Sequence, residues 1–420
     1  MSEQDVGVVH AAALGLLGDR ATAVERAVAQ APAAVTLAGR VSAHDVLLDG
    51  TRSWLAAGGA ASLVRPLAGG DPRAATSADL AEACRLADAL PDVGLVAGPP
   101  VLTDDLTTLG ELQACLEATG KHVQVSTLHS SAEAEQAVCM ARTLVSAPRE
   151  LAARPPISLC AETEGLPAAL VFARAGLPVG IALPVDGEPD AASDLAIALV
   201  RHHAAALAGC LAVQSAAPGA PFLYLAHPAL AGVAEHGPEA VLFALASMQL
   251  AARVGLPVSV AALATGAAES GWQSCTDNSL GALGATAAGG AVVTGAGTLS
   301  EGRVFSAQQL VMDAEVFSWN ARIAAGITVD EGTLALEVIR QVGIGGNYLG
   351  QQHTRQNMRD VWRPRLLDRS MWDAWLASGR QGPYEKATVL CRDLLREHHV
   401  AQLDEATTGA LTHIVATSGL

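Results

Sequence analysis

From about residue 76 onward, short runs rich in Val, Leu and Ile alternate with longer stretches of helical periodicity. That alternation is the signature of βα units repeated around a parallel sheet. Seven runs read as strands: 93–97, 123–127, 157–160, 179–183, 222–225, 258–263 and 291–294. An eighth comes either from the weaker run 62–67 or from 344–349. The helices between them carry ordinary punctuation. Thr76 with Asp79 opens one and Pro91 follows it, Gly120 closes another, Ser306 with Gln309 forms a capping box, and Asp330 can cap the next. The expected fold is α/β, a (β/α)8 TIM-like barrel over residues 61–333. A short helix and hairpin appendage (1–60, its turn at Asp49-Gly50) precedes it, and a C-terminal helical extension (334–420) follows.

Of the 420 residues, 50% are apolar but only 3% aromatic, so the core has to be built from Ala, Val and Leu. A net charge of −16 argues against a nucleic-acid partner, which needs clustered Lys and Arg. Seven cysteines without a Cys-x-x-Cys pair, and with no histidine at ligand spacing, fit reduced thiols better than disulfides or a zinc site. No metal site is expected. The start lacks a basic leader and no apolar run reaches the roughly 18 residues of a membrane span. A soluble, cytoplasmic protein is expected, with homo-oligomerisation left open.

In a barrel of this kind the active site lies where the strands end. The residues just past the strands are Gly98-Pro-Pro100, His129, Glu162, Asp186-Gly187, His227, Glu269 with Trp272, and Gly295-Ala296-Gly297. Polar and aromatic groups following Val/Leu-rich strands are candidates for ligand contact or solvated loop residues. His227 precedes Pro228 and can instead cap a helix, and Glu162 can be a helix start stabilised by the dipole. The glycine turn either lets backbone approach a ligand or is a tight βα connection. No residue is assigned a catalytic role.

Four motifs follow in order: Gly295-Ala-Gly-Thr-Leu299, the acidic stretch from Val311 to Glu315, Asp330-Glu-Gly-Thr-Leu-Ala-Leu-Glu-Val-Ile339, and Gly345-Gly-Asn-Tyr-Leu349 leading to His353-Thr354. Together they resemble the trimethylamine methyltransferase family, whose members pass a methyl group from an amine to the cobalt of a separate corrinoid protein. The resemblance implies that Asn347, Tyr348 and His353 contact substrate, and that Gly295, Ala296 and Gly297 face the corrinoid. The corrinoid, as methylcobalamin, would be supplied by a partner protein and not held tightly by this chain. Trp362 with Arg363-Pro364 is expected to lock the extension onto the barrel, and Trp319, Trp372 and Trp375 to lie in a core or interface.

The segment 265–272 replaces the place where trimethylamine enzymes carry pyrrolysine, which favours a betaine-like quaternary amine over trimethylamine. Thr294 stands where a histidine is usual, Leu299-Ser-Glu-Gly302 inverts the family order, and the loop after the fourth strand keeps only Pro184, Gly187 and Leu195-Ala196. A permanent cation is best held by aromatic faces and a carboxylate. The available rings are Trp272, Tyr224 and Tyr348, and the anions Glu269 and Glu162. The alternatives are a barrel of the same descent that has lost corrinoid chemistry and takes another small molecule, and a non-catalytic binding protein.

Overall fold

In the computed structural model, which describes residues 1–183, 194–234, 236–358 and 361–418, eight parallel strands close into one barrel. In chain order they are β1 Trp54–Ala57, β2 Val93–Gly98, β3 His122–Val125, β4 Ile157–Ala161, β5 Val179–Ile181, β6 Phe222–Ala226, β7 Val258–Ala261 and β8 Ala291–Ala296. Each pairs with its successor, and β8 closes the ring on β1, with Val292 opposite Trp54 and Val293 opposite Leu55. β2 to β8 are the expected strands with small shifts at their ends.

The eighth strand corrects the reading from sequence. It is β1 at Trp54–Ala57, and neither 62–67 nor 344–349 supplies it. Leu63–Arg65 belongs to a small sheet with Val304–Ser306, Thr298–Leu299 and Arg73–Ala74. β1 escaped notice because its four residues end in two alanines, which carry little strand preference, and run straight into Gly58-Gly59. The hairpin is also displaced. Its strands are Val35–Leu37 and Val46–Leu48, so the turn spans 38–45 and Asp49-Gly50 leads into β1.

Successive strand residues point to opposite faces, and in a closed barrel these faces are the interior and the helix layer. Leu95, Ala97, Cys160, Leu223, Leu225 and Val292 share one buried cluster with Val35, Leu37, Val46 and Leu48 of the hairpin. The hairpin therefore plugs the barrel interior at the end where the strands begin. The alternate residues, among them Val123, Leu159, Tyr224, Val260 and Val293, fall in the outer cluster with the helices.

One long helix follows each strand, from Ser77–Ala89 after β1 to Ala307–Ala324 after β8. Thr76 and Asp79 make the expected reciprocal cap. Ser306 accepts the Gln309 N–H, but the Gln309 side chain turns to Asp313, so only half of that box forms. Leu195–Ala216 is apolar enough to cross a membrane by composition, yet it is largely buried, packed under Glu3–Leu17 and Ala21–Gln30. All seven cysteines are free thiols.

After Ala324 the chain departs from the barrel. The expected helix starting at Asp330 breaks at Ala335, which sits at φ +45°, into Glu331–Leu334 and Leu336–Val342. The chain returns where Trp362 donates from Nε1 to Ser318 Oγ at 3.0 Å and tilts against Trp319, and where the Arg365 backbone and guanidinium reach Glu315. Helix Pro383–Glu397 then packs on Ala307–Ala324 and Ser77–Ala89, and Glu405–Thr417 on the two helices after β2 and β3.

The plug is testable with the hairpin's two faces. Leu37→Ala opens a cavity in the barrel interior and should cost about 2–5 kcal/mol in denaturant unfolding. Leu47→Ala, on the exposed face of the hairpin, should stay within about 0.5 kcal/mol. Equal small losses for both would remove the plug from the folding core.

Candidate active site

The side chains at the strand ends line a cavity of about 450 Å³. Its wall is built by the inward positions, and several of these are polar. Gln124 on β3 and Thr294 on β8 line the cavity, while His122 on β3, Ser158 on β4 and Ser259 on β7 are buried inward polar positions outside its lining. Deeper in, His122 donates from Nδ1 to the Pro155 carbonyl and accepts from Ser158 Oγ at 2.8 Å, which satisfies both groups. Closer to the mouth, the Gln124 amide oxygen and the Thr127 hydroxyl are buried and make no hydrogen bond. Gln124 is 4% exposed and lines the cavity with Thr127. A buried polar atom without a partner costs about 1–3 kcal/mol, so these two atoms mark where a ligand is expected to bond.

Glu162, His129 and His227 stand around the same opening. Glu162 follows β4 and is exposed to solvent. His227 follows β6, with its Nε2 3.4 Å from Ser259 Oγ. Burial, helped by the neighbouring His202, pushes the His227 imidazole down to about 4, so it is neutral near pH 7. The rim between these groups is glycine-rich: Gly58, Gly59, Gly98, Gly295 and Gly302 all border the opening.

The turn at the end of β8 is held from below. Gly295 has φ +101°, and a Cβ there would stand 2.3 Å from the Leu263 carbonyl oxygen. Gly297, at φ +87°, would drive a Cβ to 2.8 Å from the Phe305 ring. Both positions require glycine for backbone and packing reasons alone. Ala296 is fully buried. The Gly297 N–H donates to Asp313 Oδ2, and Asp313 Oδ1 accepts from Asn278 Nδ2 and Gln309 Nε2, all at 2.8 Å. Asp313 is 1% exposed, and burial pushes its carboxyl up to about 7 against the pull of these donors. The amide oxygens of Asn278 and Gln309 are buried without partners and could accept the proton of a neutral Asp313 after their amides turn.

The remaining sequence candidates lie elsewhere. Tyr224 is on the outer face of β6, fully buried, with its hydroxyl 3.1 Å from His203 Nδ1, so its ring is turned away from the mouth. Trp272 is 84% exposed at the start of helix Trp272–Ala288, beside a separate apolar groove. Glu269 is exposed, 3.9 Å from Arg65. Asn347, Tyr348 and His353 sit on the C-terminal extension, bonded within it: Asn347 Oδ1 accepts from Leu349 N–H, Tyr348 donates to the Gly343 carbonyl and His353 to the Gly332 carbonyl. The structure thus brings together Glu162, His227, His129, Gly98 and Gly295. It does not bring the three aromatic rings to them. Asp186 and Gly187 lie outside the described residues. Gln124, Ser126 and Thr127 were not read from sequence, although a glutamine alternating with valines in a strand signals a polar inward position. Among the described residues no three His, Cys, Asp or Glu side chains gather as metal ligands.

Residues 18–418 match the family model described as trimethylamine methyltransferase (MTTB). The chain belongs to the trimethylamine methyltransferase family. It is 28% identical to the trimethylamine methyltransferase MttB of Desulfitobacterium hafniense over 411 residues, 93% of this chain and 82% of that protein. It is 35% identical to MttB of Methanosarcina barkeri over 237 residues, 55% of this chain and 48% of that one. It is also 28% identical to a glycine betaine methyltransferase of D. hafniense over 415 residues, 94% of this chain and 86% of that protein. Within the family pattern the two acidic residues of the 311–315 stretch have separate tasks: Asp313 fixes the glycine turn, and Glu315 receives the backbone N–H groups of Arg365 and Leu366.

Because the folded Asp313 carboxyl titrates at about 7 against an ordinary 3.8, folding favours its neutral form. Its contribution to stability is complete below the ordinary carboxylate range and is lost as pH rises to about 7. Asn at 313 cannot ionise. The melting temperature of the wild type minus that of Asp313→Asn should fall as pH is raised from about 4.5 to about 7 and level off above. A difference that grows with pH would show that the three donors hold Asp313 ionised.

Proposed function

We propose that this chain is a methyltransferase that holds a betaine-like quaternary amine in the barrel mouth and presents one of its N-methyl groups to the cobalt of a partner corrinoid protein. The observation that carries the reading is the open mouth itself, where one exposed carboxylate stands beside two buried polar atoms that lack partners. Family membership and a relative named glycine betaine methyltransferase support it.

The amine leaves as a neutral molecule, so no side chain has to protonate it. The barrel's task is to place the N–CH₃ bond and keep water away from it. The corrinoid, when its protein docks, supplies the nucleophile. The glycine-rich rim fits that requirement, since it presents backbone to a flat macrocycle with no side chain in its path. Glu162 would balance the ammonium charge. Thr127 and the neutral His227 can donate to the carboxylate of a betaine, and the Gln124 amide turns to serve either end. Methyl groups on a quaternary nitrogen carry much of its positive charge, so oxygen atoms can hold them where rings are missing.

A second reading is a barrel of the same descent that takes another small molecule without corrinoid. The absence of any ring other than imidazole from the mouth, among the described residues, favours it. Turnover separates the two. With reduced corrinoid protein, glycine betaine should be demethylated faster than trimethylamine. Glu162→Gln should lower kcat/KM about tenfold, the value of roughly 1.4 kcal/mol of lost charge pairing. Glu269→Gln, outside the cavity lining, should stay within about twofold. Trimethylamine as the better donor, or equal effects of the two substitutions, would reject the site. Binding of betaine without methyl transfer would favour the second reading.

A further inference from the structure

The segment between helix Ala307–Ala324 and the return at Trp362 has no core of its own. Among the described residues from 325 to 380, Leu366 alone is buried. Eleven large apolar side chains between Ile327 and Trp372 are each at least 47% exposed, with Ile327 at 87%, Ile344 at 108% and Met371 at 82%. The helices Glu331–Leu334, Leu336–Val342 and Gln352–Asn357 are too short to persist without a packing surface. Eight of the eleven lie within 327–358, and side chains so exposed present several hundred Å² of apolar area, on the order of the ~800 Å² each partner gives to a standard interface.

The position of the segment decides what covers it. Helix Ala307–Ala324 starts at the mouth and runs about 27 Å away from it. The segment therefore leaves from the opposite end, where Arg365 also pairs with Asp92, just before β2 begins. A corrinoid carrier must reach the mouth, and must come and go. A coreless apolar segment at the other end needs permanent cover, which is the character of obligate interfaces. The same chain also offers a receiving surface, an apolar groove of about 280 Å³ between Trp272, Met312, Leu366 and Tyr384, beside the start of helix Trp272–Ala288 and the first half of helix Ala307–Ala324.

We propose that residues 327–358 form a clasp that folds against a second copy of this chain, the two copies related by a twofold axis so that each segment lies on the other's Trp272 groove. The choice of a second copy over the carrier rests on the reading of the mouth proposed above.

Light scattering after gel filtration at micromolar concentration should give the mass of two chains or an even multiple. Hydrogen exchange should find the amides of 331–357 protected in the wild type, a readout that requires no variant. The double substitution Ile344→Asp/Leu349→Asp should reduce the mass to that of one chain and expose those amides, with the far-ultraviolet circular dichroism of the barrel retained. A single-chain mass for the wild type would overturn the proposal, as would a double variant that stays assembled. Protection of 331–357 that appears only when the corrinoid protein is added would overturn it too, and would assign the segment to the carrier.

Discussion

A closed eight-stranded barrel has a single interior, and how its length is divided determines the rest of this molecule. One half is filled by inward Leu and Val side chains and capped by the hairpin strands Val35–Leu37 and Val46–Leu48. The other half is lined by Gln, Ser, Thr and His and left open. The division follows from strand parity. A glutamine or serine placed between valines must point inward, because the outer face of every strand is sealed by helices. Apolar filling at one end supplies the stability that lets the other end keep unpaired polar groups.

Asp313 shows how that tolerance is organised. A fully buried carboxyl is costly as an ion, yet here it receives three N–H donors and joins the end of β8 to two helices. It thereby sets the glycine turn at the rim from beneath, out of reach of any ligand. Glu315, one helical half-turn further on, does the corresponding work for the C-terminal extension by accepting backbone N–H groups at Arg365 and Leu366. Two acidic residues in one short motif thus act on structure on opposite sides of the same helix.

The barrel was legible because seven strands are runs of branched residues separated by helices of the right length. β1 was not, since Trp-Leu-Ala-Ala before two glycines has neither length nor branching. Counting past strand ends reaches Glu162 and His227, which line the cavity, because both stand in the first loop positions. Tyr224 was misplaced by the same method, because proximity to a strand end says nothing about which face a side chain takes. Parity does, and it puts Leu223 and Leu225 inside and Tyr224 outside. Trp272 and Glu269 failed for another reason: the loop after β7 runs ten residues before its helix, long enough to carry them over the rim. The apolar residues of 327–372 read as ordinary helical faces, and only their exposure in the folded chain reveals that they lack a partner within it.

The pairing of β8 with β1 also bears on how the protein comes into being. The first strand emerges from the ribosome with its two edges unpaired, and one of them stays so until the last strand has been made. Contacts of such long sequence separation form late and slowly. During that interval the edge of β1 is a template for pairing with another chain. The hairpin that precedes it already meets Trp54, whose indole N–H donates to the Leu47 carbonyl, and can hold the strand in place during synthesis. The plug that seals the finished barrel is then also the element that guards its seam while translation is under way.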